Sequence, residues 1–370
     1  MVTRTNLTSM VEVPLHARHI ELGAKMGPFG GWDMPIEYTA GTVAEHTAVR
    51  EAVGIFDVSH MGKLRIVGPG AYDFINGILA NDLSRIQPGQ AQYSMLCNEQ
   101  GGIIDDLIVY LVGPDEVRII PNASNASTVA AVLEEAAPAD IVVENKHTEQ
   151  GIIAVQGPKS GDLLKVLGLP TEHGYMAFED AQWNGHQLTV CRTGYTGEHG
   201  YEIVIGNAGL LPLWNALLTE GAQFGILPAG LGSRDTLRTE MGYPLHGQDI
   251  SPEISPVQAR TGWAVGWKKD HFAGKQALEA EKAAGPSRIA WGLKATGRGI
   301  PRSHMQVKNS AGEVVGETTS GTFSPTLQMG IALALLNPTT QEGDELVVDV
   351  RGRDLPVVVV KPPFVQPSTK

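Results

Sequence analysis

The stretch AQYSMLCNEQGGIIDDLIVYLVGPDEVRIIPN, residues 91–122, reads as three successive strands. NEQGG and GPDE supply the turn residues between its apolar runs, and short connections of this kind join antiparallel neighbours, so the segment predicts a meander. Within it, Asp105 and Asp106 stand side by side in an apolar run. An unpaired buried charge is strongly unfavourable, so the pair needs an explanation. In an extended chain Asp105, Leu107 and Val109 share one face, and Asp106, Ile108 and Tyr110 share the other. Only one of the two carboxylates can then point into a given cavity. A turn, a surface edge and a working site each account for the pair at this level.

Outward from the meander, helices and strands alternate. Residues 43–54, with Thr42 before them, predict a helix in which Thr42 and Glu45 form a capping box and Gly54 ends the run. KLRIVG predicts a strand, and helices are expected at about 71–79 and 127–137. A second strand-and-helix unit runs from Ile141 to about Gly225, and PAGLGSRDTLRTEMG, 228–242, is a Gly-rich lead-in to a further helix. A short helix in 273–288 runs into a linker. Beyond Arg288 only short strands remain, with NSAG and RGRD as turns, so the C-terminal part predicts a small all-β barrel or sandwich.

The 370 residues suffice for two or three domains with real cores. A net charge of −12 argues against a partner that grips nucleic-acid phosphates over a wide face, while leaving room for a small anion held by one or two basic residues. Cys97 and Cys191 both lie in strand-like apolar contexts and read as reduced core thiols. No signal-peptide pattern and no window long enough for a membrane span is found, so a cytoplasmic location is expected.

Four clusters are candidates for chemistry. In DVSHMG, 57–62, Ser59 and His60 are adjacent, so their side chains diverge along an extended chain and form no dyad; His60 as a base would need a partner from elsewhere. The second cluster is the aspartate pair. In RTGYTGEHGYE, 192–202, glycines at 194, 197 and 200 alternate with Tyr195, Tyr201 and two glutamates, which suits close backbone approach, ring stacking and acceptance of paired N–H bonds from a heterocycle. In GSRD, 232–235, Asp235 is placed to complement a helix N-terminus, and Arg234 is either a carboxylate clamp or the ion-pair partner of Asp235. No nucleophile elbow, zinc motif, phosphate loop or dinucleotide fingerprint is present, and no metal site is expected.

Taken in order, ELGAKM, GGWDMP, VREAVGIFDVSHMG, NEQGGIIDDLIVY, QGPKSG, RTGYTGEHGYE, PAGLGSRDTLRTE, GQDI and GETTSGTFSPTLQMGIALAL resemble the T-protein family, the aminomethyltransferases of the glycine cleavage system. The resemblance runs from about Pro14 to Phe364. It implies an α+β fold: a three-domain ring with two interwoven α/β N-terminal domains built of antiparallel sheets plus helices, 1–284, and a C-terminal β-barrel, 285–370. It also implies transfer of a one-carbon unit from the aminomethyl-dihydrolipoyl arm of the H protein to tetrahydrofolate, with release of ammonia and formation of methylenetetrahydrofolate. Folate would sit in a central hole between the domains.

Carried over by position, the family's catalytic aspartate falls on Asp106, and its pterin-side carboxylate on Glu202. The arginine contact falls on Arg234, the loop tyrosine on Tyr195 and the strand tyrosine on Tyr93, with Met61 and Asn122 lining the pocket. Asp105 is then expected to face away, satisfied by local backbone or a surface partner. Two departures stand out: Val365 follows Phe364 where the family carries a ligand-contacting tyrosine, and His246 replaces a commoner aromatic. Two other readings remain. A folate-dependent demethylase would vary the substrate-side residues, which this chain keeps. An iron–sulfur assembly factor would carry a cysteine in the tyrosine–glycine loop, where this chain has RTGYTGE.

Overall fold

The computed structural model describes residues 10–369. The meander forms as expected. Strands Gln90–Cys97, Ile103–Gly113 and Glu116–Pro121 are neighbours in a five-stranded sheet completed by Leu64–Val67 and Val142–Asn145. Leu107, Val109 and Leu111 bury one face against helices Ala71–Ile78 and Ala126–Ala136. The other face, carrying Ile108 and Tyr110, packs on Phe178, Cys191 and Val204 of a second sheet.

That second sheet has six strands in the order Phe178–Trp183, His186–Cys191, Gly200–Gly206, Gln150–Gln156, Val53–Asp57, Ile226–Pro228. Its far face buries helices Ser160–Val166 and Asn207–Gly221 around Trp214 and Leu213. Chain order shows how the two units interweave. Val53–Asp57 belongs to the six-stranded sheet, the next strand, Leu64–Val67, to the five-stranded one, and Gln150–Gln156 returns to the first. The crossing is made by residues 58–63. Asp57 Oδ1 accepts from the Ser59 N–H at 2.8 Å, and Ser59 Oγ accepts from the Ile152 N–H at 3.1 Å. A β-carbon on Gly62 would lie 2.5 Å from Pro121, so only glycine passes there.

Strands from Ile289–Ala295 to Asp354–Val360 close a six-stranded barrel around Leu293, Val307, Leu336, Val348 and Val359, resolving the choice between barrel and sandwich. Helix Leu231–Met241 fastens it. Arg238 bonds Ser320 at 2.9 Å, and Glu240 accepts from Ser324 and Thr326. Among the described residues no helix is long and apolar enough to cross a membrane. Cys97 and Cys191 are buried free thiols in separate apolar clusters, and burial pushes Cys97 up to about 12.

One local expectation fails. The helix spans Thr42–Glu51 with Gly41 as its N-cap and no side-chain cap. Thr42 instead donates to Glu37, and Glu45 turns inward to accept from the N–H groups of Tyr38 and Gly230 and from the Ser233 hydroxyl. Gly230 is the N-cap of the helix Leu231–Met241, so the glutamate satisfies another helix's orphan donor rather than its own. Gly54 does not end the helix either. It lies in the following strand, where a β-carbon would come 2.3 Å from Val49.

Candidate functional site

Asp106 is held at both oxygens. Asn122 Nδ2 donates to Oδ1 at 2.7 Å, and the Tyr93 hydroxyl donates to Oδ2 at 3.1 Å. The register makes this possible: Met95 lies opposite Asp106 and Tyr93 opposite Ile108, so Tyr93 and Asp106 sit on one face two positions apart. Asn122 follows the next strand, whose last residue, Pro121, lies opposite Leu107. Burial raises the Asp106 carboxyl, opposed by His246 and by the Tyr93 and Asn122 bonds. Burial and the Asp106 charge push Tyr93 well above the usual phenol range, so its proton stays on oxygen. Trp263 stacks on Tyr93 at 5.5 Å.

Asp105, expected to face away and be satisfied by local backbone or a surface partner, is buried instead, and its partners come from residues 122 and 125, one a backbone N–H and the others side-chain amides. It is 0% exposed. Oδ2 accepts from the Asn122 N–H at 3.0 Å, and Oδ1 accepts from Asn122 Nδ2 at 2.9 Å and Asn125 Nδ2 at 2.7 Å. Strand alternation does separate the two side chains, but one amide group beyond the strand end reaches both Oδ1 atoms. Burial and the Asp106 charge push Asp105 up to about 7. The Asn125 amide also meets His246 Nδ1 at 2.9 Å, and His246 Nε2 faces the Ile103 carbonyl at 3.0 Å, so the proton of a neutral ring lies on Nε2.

Asn125 is not singled out by the sequence, and His246 stands out there only as a departure from a commoner aromatic, not as a site residue. The signal for Asn125 was present in PNASN: Asn122 caps and Asn125 ends a 3-10 turn, where side chains three apart line up. His246 carried no such signal, since its partner lies 121 residues away.

The second half of the site comes from the six-stranded sheet and the helix behind it. Arg234 lies 4.7 Å over the Tyr195 ring, which also stacks on Tyr243 at 5.6 Å. The Tyr195 hydroxyl donates to the Pro244 carbonyl. Arg234 Nη1 is buried with no partner, and burial lowers the guanidinium while Glu202 opposes that shift. Asp235 does not pair with it; Arg238, one turn on, takes Asp235 at 2.6 Å. Glu202, on strand Gly200–Gly206, accepts from the Thr193 hydroxyl at 2.5 Å through Oε2. Met61 packs among Val58, Ile120 and Val204. Burial first, and the Asp106 charge after Arg238, shape the raised phenol of Tyr195, which ties the two halves together in space.

Tyr93, Asp106, Asn122, Tyr195, Glu202 and Arg234 each keep some accessible surface, although burial shifts Tyr93, Asp106, Tyr195 and Arg234. Deep placement with retained surface is what side chains lining an internal cavity show.

Other parts of the clusters serve packing. Gly194 and Gly200 make room for the Gln156 amide, which would lie 2.2 and 2.5 Å from their β-carbons, and Gly197 has φ +80 against Met241. Tyr201 is a core residue whose hydroxyl donates to Thr171. His60 finds no acid partner: burial, then Arg234, hold it at about 3, so it stays neutral. The C-terminal tail bonds the loop through the Ser368 N–H to the Gly197 carbonyl, 2.7 Å, and the Thr369 carbonyl accepts from Arg192, 2.7 Å. A separate cavity of about 520 Å3 opens between the two N-terminal sheets, lined by Tyr110, Ile120, Phe178 and Val204. It excludes both aspartates, and its arginines are already paired with Glu116, Glu144 and Asp180.

Comparison with known proteins agrees over nearly the full length. Residues 15–269 match the GCVT N-terminal domain, and residues 288–366 match the glycine cleavage T-protein C-terminal barrel domain. An aminomethyltransferase of Frankia alni is 58% identical over 357 residues, covering 96% of this chain and 98% of the relative. One of Mycobacterium tuberculosis is 53% identical over 368 residues, covering 99% and 100%. The crystal structure of glycine cleavage system aminomethyltransferase T from Bartonella henselae superposes with a TM-score of 0.91 at 34% identity, covering 97% of this chain and 99% of that one.

Proposed function

The chain belongs to the glycine cleavage T-protein family and is an aminomethyltransferase, and on that premise we propose that it moves the one-carbon unit of the aminomethyl-dihydrolipoyl H protein to tetrahydrofolate. The carbon–nitrogen and carbon–sulfur bonds of the S-aminomethyl group break, and two carbon–nitrogen bonds form to the folate. The two folate N–H protons leave with ammonia and with the freed lipoyl thiol. Methylenetetrahydrofolate is the product.

The observation that carries this reading is the doubly held Asp106 carboxylate, deep in the protein yet keeping some accessible surface. A positioned anion orients the folate amine and stabilises the iminium-like fragment as ammonia departs. In a partly dry site that Coulomb term is several-fold larger than in water. Most of the acceleration would come from bringing carrier arm and folate nitrogen together where water is scarce. Opposite, Arg234 offers an unpartnered guanidinium edge, and Glu202 keeps Oε1 free of protein partners for pterin N–H groups. Tyr195 and Tyr93 supply ring faces, and Met61 an apolar wall. Asn122 holds Asp106 rather than simply lining the pocket.

The same reading divides the chain into a folate-binding region, 1–284, and a barrel, 285–370, that closes the ring, and places the protein in the cytoplasm. An ammonia-release assay with aminomethylated H protein and tetrahydrofolate tests it. Release dependent on both components is expected. Folate-dependent release from a small methylated amine instead, or folate binding with no turnover, would overturn it in favour of a demethylase or an assembly factor.

A further inference from the structure

Two adjacent carboxylates tied to one amide are electrostatically expensive. Asp105 Oδ1, Asp106 Oδ1 and the Asp106 carbonyl all lie within hydrogen-bond reach of Asn122 Nδ2, at 2.9, 2.7 and 2.8 Å, so its two hydrogens are shared among three acceptors, and among the described residues no cation is bonded to either carboxylate. Like charges so close raise one another's proton affinity, so such a pair titrates as a unit. The donors are distributed unequally. Asp105 takes the Asn122 backbone N–H and an Asn125 amide N–H besides its share of the Asn122 amide, and Asp106 takes a share of that amide and the Tyr93 O–H.

The clamp on Asp105 is set from another part of the chain. With its Nε2–H given to Ile103, His246 presents Nδ1 as an acceptor and so aims the Asn125 amide at Asp105. The loop that carries His246 is itself fixed. Asp249 accepts from the Leu245 N–H at 2.9 Å, from Arg238 at 2.7 Å and from the barrel hydroxyls Thr319 and Ser320 at 2.5 and 2.8 Å. Burial, then the Asp106 charge, and the absence of a bonded cation all favour a proton on Asp105, and the Asn125 and Asn122 donors oppose it.

We propose that Asp105 is a second, proton-holding positioning carboxylate of this site, set by His246 through Asn125 so that the aspartate pair carries one negative charge or two according to pH. The inference rests on the folate-transfer reading above. Asp105 does not touch substrate; it acts through the potential it adds at Asp106. The titratable groups facing the pair are Tyr93 from the adjacent strand and His246 from the 242–250 loop, with Tyr195 beyond Asp106. Arg234, Arg238 and Asp249 face Tyr195 in turn. A second negative charge favours a cationic fragment, so turnover rises with pH as Asp105 ionises, on the order of tenfold.

The test is the pH profile of kcat and of KM for tetrahydrofolate across the neutral range. It uses the full chain with aminomethylated H protein, for wild type, Asp105→Asn, Asn125→Ala and Asp106→Asn. The neutral limb in kcat is expected to vanish in Asp105→Asn. In Asn125→Ala it moves to higher pH, because an N–H donor to the Asp105 anion is gone. Independently of activity, the infrared difference spectrum of wild type minus Asp105→Asn should show a protonated carboxyl band that disappears as pH rises through the limb; carboxyls outside the coupled pair cancel, and the same difference taken against Asp106→Asn identifies any contribution from Asp106. A limb unchanged in Asp105→Asn, or no such band, overturns the inference while leaving the transfer reading intact. Near-normal turnover of Asp106→Asn sinks the transfer reading itself. Should Asp105→Asn not fold, Asn125→Ala decides: an unmoved limb is against the proposal.

Discussion

The Arg234 guanidinium lies 4.7 Å from the centroid of the Tyr195 ring, and its Nη1 has no hydrogen-bond partner among the described residues. A buried charge stacked on an aromatic but short of acceptors is costly to the ligand-free fold and valuable to a ligand that supplies them. Replacing Arg234 by Met should therefore leave the ligand-free protein as stable or raise its stability by about 1 kcal/mol, while weakening folate binding by roughly 10- to 100-fold. Thermal unfolding without ligand and folate titration calorimetry check the two halves. A destabilised ligand-free protein with normal folate affinity would show that Arg234 is structural.

Asp106→Asn keeps the volume and the Tyr93 and Asn122 neighbours but removes the charge. Folate binding should stay within about tenfold, about 1.4 kcal/mol. Turnover should fall by at least about 100-fold, as expected when a preorganised charge is lost from the reacting centre. Paired binding and single-turnover measurements separate the two effects.

Glu202→Gln replaces a carboxylate that accepts the Thr193 hydroxyl at 2.5 Å and still has Oε1 for a ligand. The amide accepts through one atom only, so a pterin donor loses its partner. Folate affinity should drop by about 1.5–3 kcal/mol, the value of a hydrogen bond to a charged group, with kcat at saturation far less affected.

Acid stability should depend on Glu240. Burial would push this carboxyl up, but the His46 and Ser324 bonds and the Arg50 charge prevail and hold it at about 2. A folded-state value below the unfolded one contributes stability that is complete above the ordinary glutamate range and is lost as pH falls towards 2. The contribution is about 3 kcal/mol. Glu240→Gln should lower the unfolding temperature at neutral pH and flatten its decline on the acid side, measured by calorimetry over that window.

Gly102 marks the turn that leads into the aspartate strand. A β-carbon there would sit 1.7 Å from the Pro252 carbonyl oxygen, a backbone atom that cannot move alone. Ile103 also donates to Ser251, so the two segments are in register at this point. Gly102→Ala should cost at least about 3 kcal/mol in chemical denaturation.

Much of the architecture was legible because it is written in local patterns. The meander, its turns, the helix 71–78 and the barrel strands follow from period-two or period-3.6 apolar spacing bounded by Gly, Pro and Asn. The capping box was a false signal for an equally physical reason. Glu45 has the spacing to cap its own helix, but Gly230, 185 residues away, offers a buried N–H that needs the same oxygen. The glycines of the 192–200 loop looked like ligand approach and turned out to accommodate Gln156 and Met241.

The amino-acid sequence alone put forward the candidates for chemistry: the aspartate pair, Tyr93, Tyr195, Glu202 and Arg234 stand out by residue type, spacing and family resemblance. It also determined that strand geometry separates Asp105 from Asp106. Only the tertiary structure decided what becomes of that separation. Asn122 and Asn125 close over both carboxylates, and His246, tied to the barrel through its loop, aims one of those amides. Hydrogen bonds between residues more than a hundred positions apart depend on how three sheets pack, and no periodicity along the chain records them.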